Sequence, residues 1–356
     1  MHVGVIGGGN IGTLIAGQAA HQGHQVTVVT NSPERWSTEI AVVDAVTGND
    51  FHAVLSRVTN DPSHLRTCHY VFLTVPPEVF SHWVDPLLKV LGPSNTLVVV
   101  PGSGGAEIFF NPLIKAGVCV YGLQRVPYIA RLDSYGHRVR ILGTKQKLYG
   151  AAVPADRGCD ISTDLATLFE TPTETLATYL AVTLTPSNPI LHTSRLYSLF
   201  RDYDPESPYE RIPLFYEDWD DDASRVLLTA DEELQAVCKA FPELDLSGVE
   251  SLSTYYEGST PAEITATITG IRAFKGLETP HRQVRGGFVP EWESRYFTTD
   301  FPYGLHILIQ FGQIARIPTP MMDEIWAWYC SVGGEHAHKR VTLPFDSPRA
   351  VVEFYH

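Results

Sequence analysis

The first thirty residues change their hydrophobic pattern three times. Residues 3–6 are apolar apart from one glycine, residues 7–12 contain four glycines, residues 13–21 have apolar side chains at helical spacing, and residues 25–30 are rich in β-branched side chains. A short apolar run before a glycine turn, then a helical and a β-branched stretch, is typical of a strand, a helix and a second strand. We therefore predict a βαβ unit at the start of the chain.

Strand patterns continue to about residue 153. Residues 40–46 and 52–55 flank the turn sequence Thr-Gly-Asn-Asp and predict a hairpin. Residues 70–75 and 96–100 are predominantly apolar, as in buried parallel strands, and a helical pattern at residues 79–91 connects them. With further strands at residues 118–121 and 139–142, the pattern predicts an α/β fold built on an open, doubly wound, mostly parallel sheet.

Helical periodicity replaces the strand patterns after about residue 160. It is clearest at residues 162–169, 231–241, 261–270 and 321–329. Proline, glycine and charged residues at 154–158 suit a linker. We therefore expect one domain over residues 1–155 and a mainly α-helical C-terminal domain over residues 156–356.

Composition and charge narrow the functional classes. Hydrophobic residues make up 44% of the 356 positions and charged residues 19%, which is typical of globular proteins. The 26 Lys and Arg residues against 40 Asp and Glu give a formal charge of −14, and no basic run is present, so we expect no nucleic-acid binding. Five dispersed cysteines, the lack of a signal-like start and the lack of a long apolar run predict a reduced, cytoplasmic protein without a membrane segment.

Two groups of possible metal ligands are interpreted as ordinary surface structure. Residues 217–222 are mostly acidic, and Glu335-His336-Ala337-His338 places two imidazoles close together in sequence. Consecutive carboxylates are usually a solvated loop, and a stable zinc site needs three or four convergent ligands. We expect no metal at either place.

The glycine turn has the spacing of a dinucleotide-binding fingerprint. In Gly7-x-Gly9-x-x-Gly12, the first glycine allows a tight turn, the second lets the backbone approach a pyrophosphate, and the third allows the helix to pack closely. The backbone N–H groups at the helix start, including Asn10 and Ile11, favour phosphate binding. Because this motif follows a predicted strand and opens a helix, it indicates an NAD(P)-binding Rossmann-type domain.

The residues after the second strand bear on the choice of cofactor. NAD enzymes usually place an acidic residue there to bind the ribose 2′-hydroxyl. At this place the chain has Thr30, Asn31 and Ser32, followed by Arg35. We therefore predict that NADP is preferred and that NAD remains possible. Val75 and Pro76 follow a later buried strand and are also expected to border the cofactor, because ligands lie beyond the carboxyl ends of parallel strands.

Two segments of the second half have polar residues that suit proton transfer and anion binding. They are residues 187–193, which include a histidine, and residues 295–305, which include an arginine and an aspartate. A histidine can give or take a proton during hydride transfer, and a carboxylate on its other nitrogen would fix the tautomer. An arginine offers two parallel N–H groups to a substrate carboxylate.

Four motifs together resemble the octopine/nopaline (opine) dehydrogenases over nearly the whole chain: the N-terminal glycine turn, Asn188-Pro189-x-x-His192, Arg295-Tyr-Phe-Thr-Thr-Asp300-x-Pro-x-Gly304 and Pro318-Thr-Pro-Met-Met-Asp323. The resemblance implies a Rossmann domain followed by a helical domain. It also implies that His192 is the catalytic acid/base, that Asp300 is its partner, and that Arg295 binds the carboxylate of a keto acid.

Other parts of the resemblance concern the substrates. Residues 124–131 are similar to the family, which suggests Tyr128 and Arg131 as substrate residues together with Asn188. The sequence departs from the family at Pro186-Ser187, where a second asparagine is usual, and at residues 339–343, where the family has Gly-Arg-Thr-Leu. These departures bear on substrate identity more than on reaction type.

We therefore predict an opine dehydrogenase, in which a 2-keto acid condenses with the amino group of an amino acid and NAD(P)H reduces the resulting imine. Its partners would be these small molecules and, in a homodimer, a second copy. Two alternatives are an NADPH-dependent keto-acid or ketone reductase similar to ketopantoate reductase, and a nucleotide-sensing protein of the same fold without catalysis. Ketopantoate reductases use a lysine as the acid, and no lysine of this chain lies in a segment like their catalytic helix.

Overall fold

The apolar N-terminal stretch lies near the centre of a parallel sheet. The computed structural model describes residues 1–356 and divides into two units, one of residues 1–183 with 355–356 and one of residues 184–354. The strands of the first unit are β1 (His2–Ile6), β2 (Gln25–Val29), β3 (Glu39–Asp44), β4 (Phe51–Val54), β5 (Arg57–Thr59), β6 (Tyr70–Leu73), β7 (Thr96–Val99), β8 (Cys119–Leu123), β9 (Tyr128–Ser134), β10 (Arg138–Thr144), β11 (Leu148–Val153) and β12 (Thr173–Thr175).

Eight of these strands form the main sheet, in the order β12-β11-β8-β7-β6-β1-β2-β5. All neighbouring pairs are parallel except β8 and β11. The helices of this unit are α1 (Asn10–His21), α2 (Phe80–Leu88), α3 (Ala106–Phe109), α4 (Asn111–Lys115), α5 (Gly158–Phe169) and α6 (Leu180–Thr183). The predicted βαβ start and the two buried strands connected by a helix are confirmed, as is the predicted fold class.

One predicted strand lies in a different sheet. Residues 139–142 were expected to complete the main sheet, but they belong to β10 in a second, four-stranded sheet of order β4-β3-β10-β9. Val139 and Ile141 are buried, whereas Arg138 and Leu142 are exposed. A strand with this alternation covers a core with one face only, so it does not suit a sheet that is buried on both faces. The predicted hairpin, now β3 and β4, lies in the same second sheet.

The first unit extends beyond residue 155, where the sequence predicted a domain boundary. Strand β12 lengthens the main sheet after this point. Ile161, Leu165 and Leu168 of α5 are buried in the same hydrophobic cluster as Val3 and Val5 of β1. Because α5 contributes to this core, the division of the chain falls after Thr183.

The second unit is mainly helical. It contains α7 (Thr193–Phe200), α8 (Asp221–Lys239), α9 (Leu252–Tyr255), α10 (Pro261–Gly270), α11 (Arg295–Thr298), α12 (His306–Ala315), α13 (Pro320–Val332), most of α14 (Pro348–Tyr355), and a hairpin of β13 (His281–Val284) and β14 (Gly287–Pro290). No helix in the chain has both the length and the apolar character that a bilayer crossing requires.

The acidic run at 217–222 has a structural role in this unit. Asp220 caps α8, because its carboxylate accepts a hydrogen bond from the N–H of Ala223 at 2.8 Å. Asp218 accepts from the N–H of Leu214 at 2.7 Å and from the guanidinium of Arg211 at 2.9 Å. The run was predicted to be a solvated loop. Instead it begins a helix and fixes the preceding turn, as carboxylates at a helix N-terminus commonly do.

Candidate active site

His192 and Asp300 lie in direct contact, although 108 positions separate them in the chain. His192 Nδ1 and Asp300 Oδ2 are 2.8 Å apart, and their side chains are 12% and 11% exposed. A carboxylate only accepts hydrogen bonds, so the proton of this bond lies on Nδ1. The geometry therefore fixes the histidine tautomer and leaves Nε2 as the nitrogen that exchanges protons.

Two wide π-helical turns, residues 187–192 and 301–305, hold this pair. Such turns are uncommon and occur frequently at functional sites. They approach each other at Gly304, where an added Cβ would lie only 3.1 to 3.3 Å from atoms of Pro189. A glycine at 304 thus lets the Asp300 segment pack on the His192 segment. This contact gives a physical reason for the proline and the glycine in the two motifs.

Tyr216 occupies the other nitrogen of the histidine. Its hydroxyl oxygen is 2.9 Å from His192 Nε2. Its ring stacks on Phe274, with centroids 4.0 Å apart and an interplanar angle of 16°. Burial raises the pKa of Tyr216 well above its usual range, so the hydroxyl keeps its proton at neutral pH. No sequence pattern predicts this contact, because an apolar segment such as residues 214–216 indicates burial and does not indicate the partner of a hydroxyl.

Arg195 holds the segment that carries Tyr216. The guanidinium is fully buried and donates hydrogen bonds to the backbone oxygens of Phe215 at 2.9 Å, Leu214 at 3.2 Å and Asp218 at 2.6 Å. Burial lowers its pKa to about 10, so it remains charged at neutral pH. The carboxylate of Asp220 lies 3.9 Å from this guanidinium. The sequence does not mark this residue either, apart from its position three residues after His192.

Arg295 differs from Arg195 in being exposed and in having no side-chain partner within the chain. The next residue, Tyr296, packs on His192 with ring centroids 4.7 Å apart. Arg295 therefore presents an unused guanidinium from the same short helix that contacts the histidine. Asn188 is also exposed, in the π-helical turn that ends at His192.

In the first unit, a cavity of about 680 Å³ opens beside the glycine turn. Gly7 has a φ of +107°, which a side chain would strain. A Cβ on Gly12 would lie 2.1 Å from the backbone oxygen of Gly7, whereas a Cβ on Gly9 would meet nothing within 4 Å. The three glycines thus match the roles of turn, open approach and close packing that a dinucleotide requires. The start of α1 at Asn10 has no acidic residue, so its free N–H groups suit a phosphate.

Of the predicted cofactor residues, five line this cavity: Gly7, Gly9, Thr30, Asn31 and Val75. Asn10 instead uses its side-chain oxygen to accept from the N–H of Leu132 at 2.9 Å, and Ile11 packs on the hydrophobic core. Gly12 lies under the turn, and Pro76 precedes the short turn that leads to α2.

The end of β2 combines a buried hydroxyl with exposed polar groups. Thr30 is 5% exposed, and its hydroxyl lies 2.8 Å from that of Tyr135, which also lines the cavity. Asn31 and Arg35 are exposed, Ser32 is half-buried, and the Arg35 guanidinium stacks 4.8 Å above the Tyr135 ring. No motif of the sequence marks Tyr135, which lies in the turn between β9 and β10 of the second sheet.

Tyr128 and Arg131, which the resemblance suggests as substrate residues, lie on β9 of the second sheet. Tyr128 packs against Phe169 and lines a separate cavity of about 490 Å³. Arg131 is exposed and donates to the backbone oxygen of Ala130 at 3.0 Å. Both residues pair with β10 in an antiparallel hairpin.

No group of three or more His, Cys, Asp or Glu side chains in the chain converges as metal ligands would. His336 lies in a short helical turn, residues 334–338, and its ring pairs with the carboxylate of Glu293 at 2.7 Å.

Two family models match this chain, one in each half. Residues 175–332 match the family model for the α-helical domain of NAD/NADP octopine/nopaline dehydrogenase. Residues 3–151 match the model for ketopantoate reductase PanE/ApbA.

Similar proteins cover nearly the whole chain. An opine dehydrogenase of Haliotis discus hannai is 29% identical over 91% of this chain and 88% of its own length. A tauropine dehydrogenase of Arabella iricolor is 27% identical over 91% and 89%. Among solved structures, octopine dehydrogenase in complex with NADH and agmatine has a TM-score of 0.87 at 23% identity, covering 99% of this chain and 98% of that one. NADP⁺-bound yersinopine dehydrogenase has a TM-score of 0.69 at 13% identity, covering 99% and 98%. This chain therefore belongs to the opine dehydrogenase family, NAD(P)-dependent oxidoreductases that act on CH–NH groups.

Proposed function

We propose that this enzyme condenses a 2-keto acid with the amino group of an amino acid or related amine and reduces the imine, with His192, Asp300 and Arg295 as the reacting site. The observation that carries the proposal is the His192–Asp300 pair at 2.8 Å. Arg295, in the same segment as Asp300, is exposed and has no side-chain partner within the chain. Proton transfer and carboxylate binding are the two tasks that such a reaction leaves to the protein.

The roles of the three side chains follow from their chemistry. Arg295 binds the keto-acid carboxylate through two parallel N–H groups and so orients the keto carbon. His192 is the source and the acceptor, through Nε2, of the protons of the carbinolamine and imine. Asp300 stabilises the charged imidazolium and holds the ring in one orientation.

The cofactor is NAD(P)H, which supplies the hydride when bound. Gly7, Gly9 and the start of α1 would hold its phosphates, and Asn31 and Arg35 would meet a ribose 2′-phosphate. We propose a preference for NADPH, because no carboxylate follows β2 directly. The neighbouring Asp61 uses both carboxylate oxygens to accept from Ser63, at 2.9 and 2.7 Å. Similar structures include octopine dehydrogenase with NADH and yersinopine dehydrogenase with NADP⁺.

A second candidate is a reductase that acts on a keto acid alone. It is favoured by the match of residues 3–151 to ketopantoate reductase. The two candidates differ in whether an amine is required. The cytoplasmic location, the homodimer and the substrate roles of Asn188, Tyr128 and Arg131 stay predictions from the sequence.

The function is tested by cofactor oxidation with each substrate alone and with both together. Pyruvate and 2-oxoglutarate are crossed with a panel of amino acids and amines, with NADPH and with NADH, and absorbance of the reduced nicotinamide is followed. We expect oxidation only where a keto acid and an amine are both present. Full activity with a keto acid alone would support the reductase instead.

His192→Ala removes the proton donor and acceptor, so we expect kcat to fall by about 10²- to 10⁴-fold while NADPH affinity stays near wild type. Asp300→Asn should cause a smaller loss, because the imidazole remains. Steady-state kinetics and fluorescence titration of NADPH measure both effects. His52→Ala is the matched control, since His52 is 68% exposed on the first unit and pairs only with Glu39. Normal turnover in His192→Ala would contradict the assigned role.

Arg295→Lys keeps the positive charge but loses the planar pair of N–H groups. We expect the keto-acid KM to rise about tenfold or more, because a hydrogen bond to a charged group contributes about 1.5 to 3 kcal/mol. The amine KM should change little and serves as the internal control. An effect confined to the amine would assign Arg295 to the other substrate.

Arg35→Ala removes the charge beside the proposed 2′-phosphate position. NADPH affinity should fall about tenfold while NADH affinity stays constant, as measured by fluorescence titration. Adding Asn31→Asp should reverse the preference, because an aspartate repels a phosphate and accepts from a free 2′-hydroxyl. Arg282→Ala, which removes an exposed arginine from the β13–β14 hairpin, controls for net charge. Equal or tighter NADH binding by the wild-type enzyme would refute the NADPH preference.

A further inference from the structure

Neither ring nitrogen of His192 is free. Asp300 takes Nδ1 at 2.8 Å and the Tyr216 hydroxyl takes Nε2 at 2.9 Å. A substrate therefore reaches the proton on Nε2 in one of two ways. Either the Tyr216 hydroxyl moves aside, or it transmits the proton.

Several contacts oppose a movement of Tyr216. Its ring is 4% exposed and stacks on Phe274, and the Trp219 ring lies nearly parallel to it at 6.4 Å between centroids. The preceding residue, Phe215, is fully buried, and its backbone N–H donates to the oxygen of Leu277 at 2.7 Å. Stacked and buried rings have few alternative rotamers, so displacing this one would break packing as well as a hydrogen bond.

Arg195 opposes the same movement through the backbone. Its three hydrogen bonds to oxygens at positions 214, 215 and 218 bracket Tyr216 on both sides. The guanidinium is itself fully buried on α7, the helix that begins directly after His192. The start of α7 therefore positions both side chains, because His192 directly precedes this helix and Arg195 within it fixes the backbone around Tyr216. This arrangement keeps the Tyr216 hydroxyl oxygen at His192 Nε2.

A tyrosine hydroxyl suits transmission because it donates one hydrogen bond and accepts others at the same time. When His192 is neutral, the Tyr216 O–H donates to the Nε2 lone pair. When His192 is charged, Nε2–H donates to the Tyr216 oxygen, and the O–H is released to donate elsewhere. The direction of the bond thus reverses with the charge on the histidine.

We propose that the Tyr216 hydroxyl is the group that gives the proton to the substrate, with His192 behind it as the proton source. This inference rests on the proposed reductive condensation and concerns the loss of water from the carbinolamine. The carbon–oxygen bond breaks with its electron pair on oxygen, the nitrogen lone pair forms the C=N bond, and the Tyr216 proton completes a water molecule. The Nε2 proton passes to the Tyr216 oxygen in the same step. The imidazolium becomes neutral, the iminium takes its positive charge, and the phenol is regenerated without any redox change.

Tyr216→Phe tests this step, because it keeps the stacked ring and removes only the hydroxyl. We expect kcat to fall roughly a hundredfold, as for loss of a general acid, while the two substrate KM values and the NADPH Kd stay within about threefold of wild type. Tyr209→Phe is the matched control. Its hydroxyl donates to the backbone oxygen of Leu199 at 3.2 Å, elsewhere in the second unit, and its loss should leave kcat unchanged.

A solvent isotope measurement separates transmission from positioning. Under single-turnover conditions in mixtures of H₂O and D₂O, the wild-type rate should curve with deuterium fraction, because two protons move together. A linear or flat wild-type dependence would overturn the proposal. An unchanged or raised kcat in Tyr216→Phe would also overturn it, because the hydroxyl would then block access to His192. A reduced kcat in Tyr216→Phe whose rate still curves with deuterium fraction as in the wild type would overturn it as well. If the wild-type enzyme oxidises no cofactor with any keto acid and amine pair, the proposed function itself fails, and this outcome is distinct from the others.

Discussion

The candidate site is built around the hydrogen bond between His192 and Asp300, and this bond depends on one close backbone approach. Two π-helical turns meet where Gly304 faces Pro189, and a Cβ at 304 would lie within 3.3 Å of that proline. Behind Asp300, the Phe301 ring stacks on Tyr329 at 4.3 Å. The carboxylate therefore sits on a packed support, and the imidazole is oriented before any substrate binds, which is how a proton-transfer site gains precision.

The same site depends on a buried charge that performs no proton transfer. The Arg195 guanidinium is removed from water and donates hydrogen bonds to three backbone oxygens of residues 214–218. Burial of an arginine costs desolvation free energy unless such partners replace water. Its benefit is geometric, because those bonds place Tyr216 on the one nitrogen that Asp300 leaves available. Arg295 has the opposite character, because it is exposed and has no side-chain partner within the chain.

Local sequence patterns were sufficient for the βαβ start, the buried parallel strands and the family, and these predictions are confirmed. Patterns were insufficient for β10, because alternation shows that one face of a strand is buried without showing which sheet covers it. The linker signal at 154–158 was similarly local. Only the contacts of α5 with the first core assign residues up to Thr183 to the first unit.

The sequence by itself determined the residue types of the proposed chemistry: glycines at the spacing a dinucleotide needs, and a histidine, an aspartate and an arginine in two recognisable segments. Only the tertiary structure decided which atoms meet. Asp300 reaches Nδ1, Tyr216 reaches Nε2, and Tyr135, in the turn between β9 and β10, reaches the hydroxyl of Thr30 after β2. The physical reason is that a hydrogen bond is sensitive to changes of a few tenths of an ångström in the donor–acceptor distance, here between segments far apart in the chain. Packing sets those distances, and no local periodicity records them.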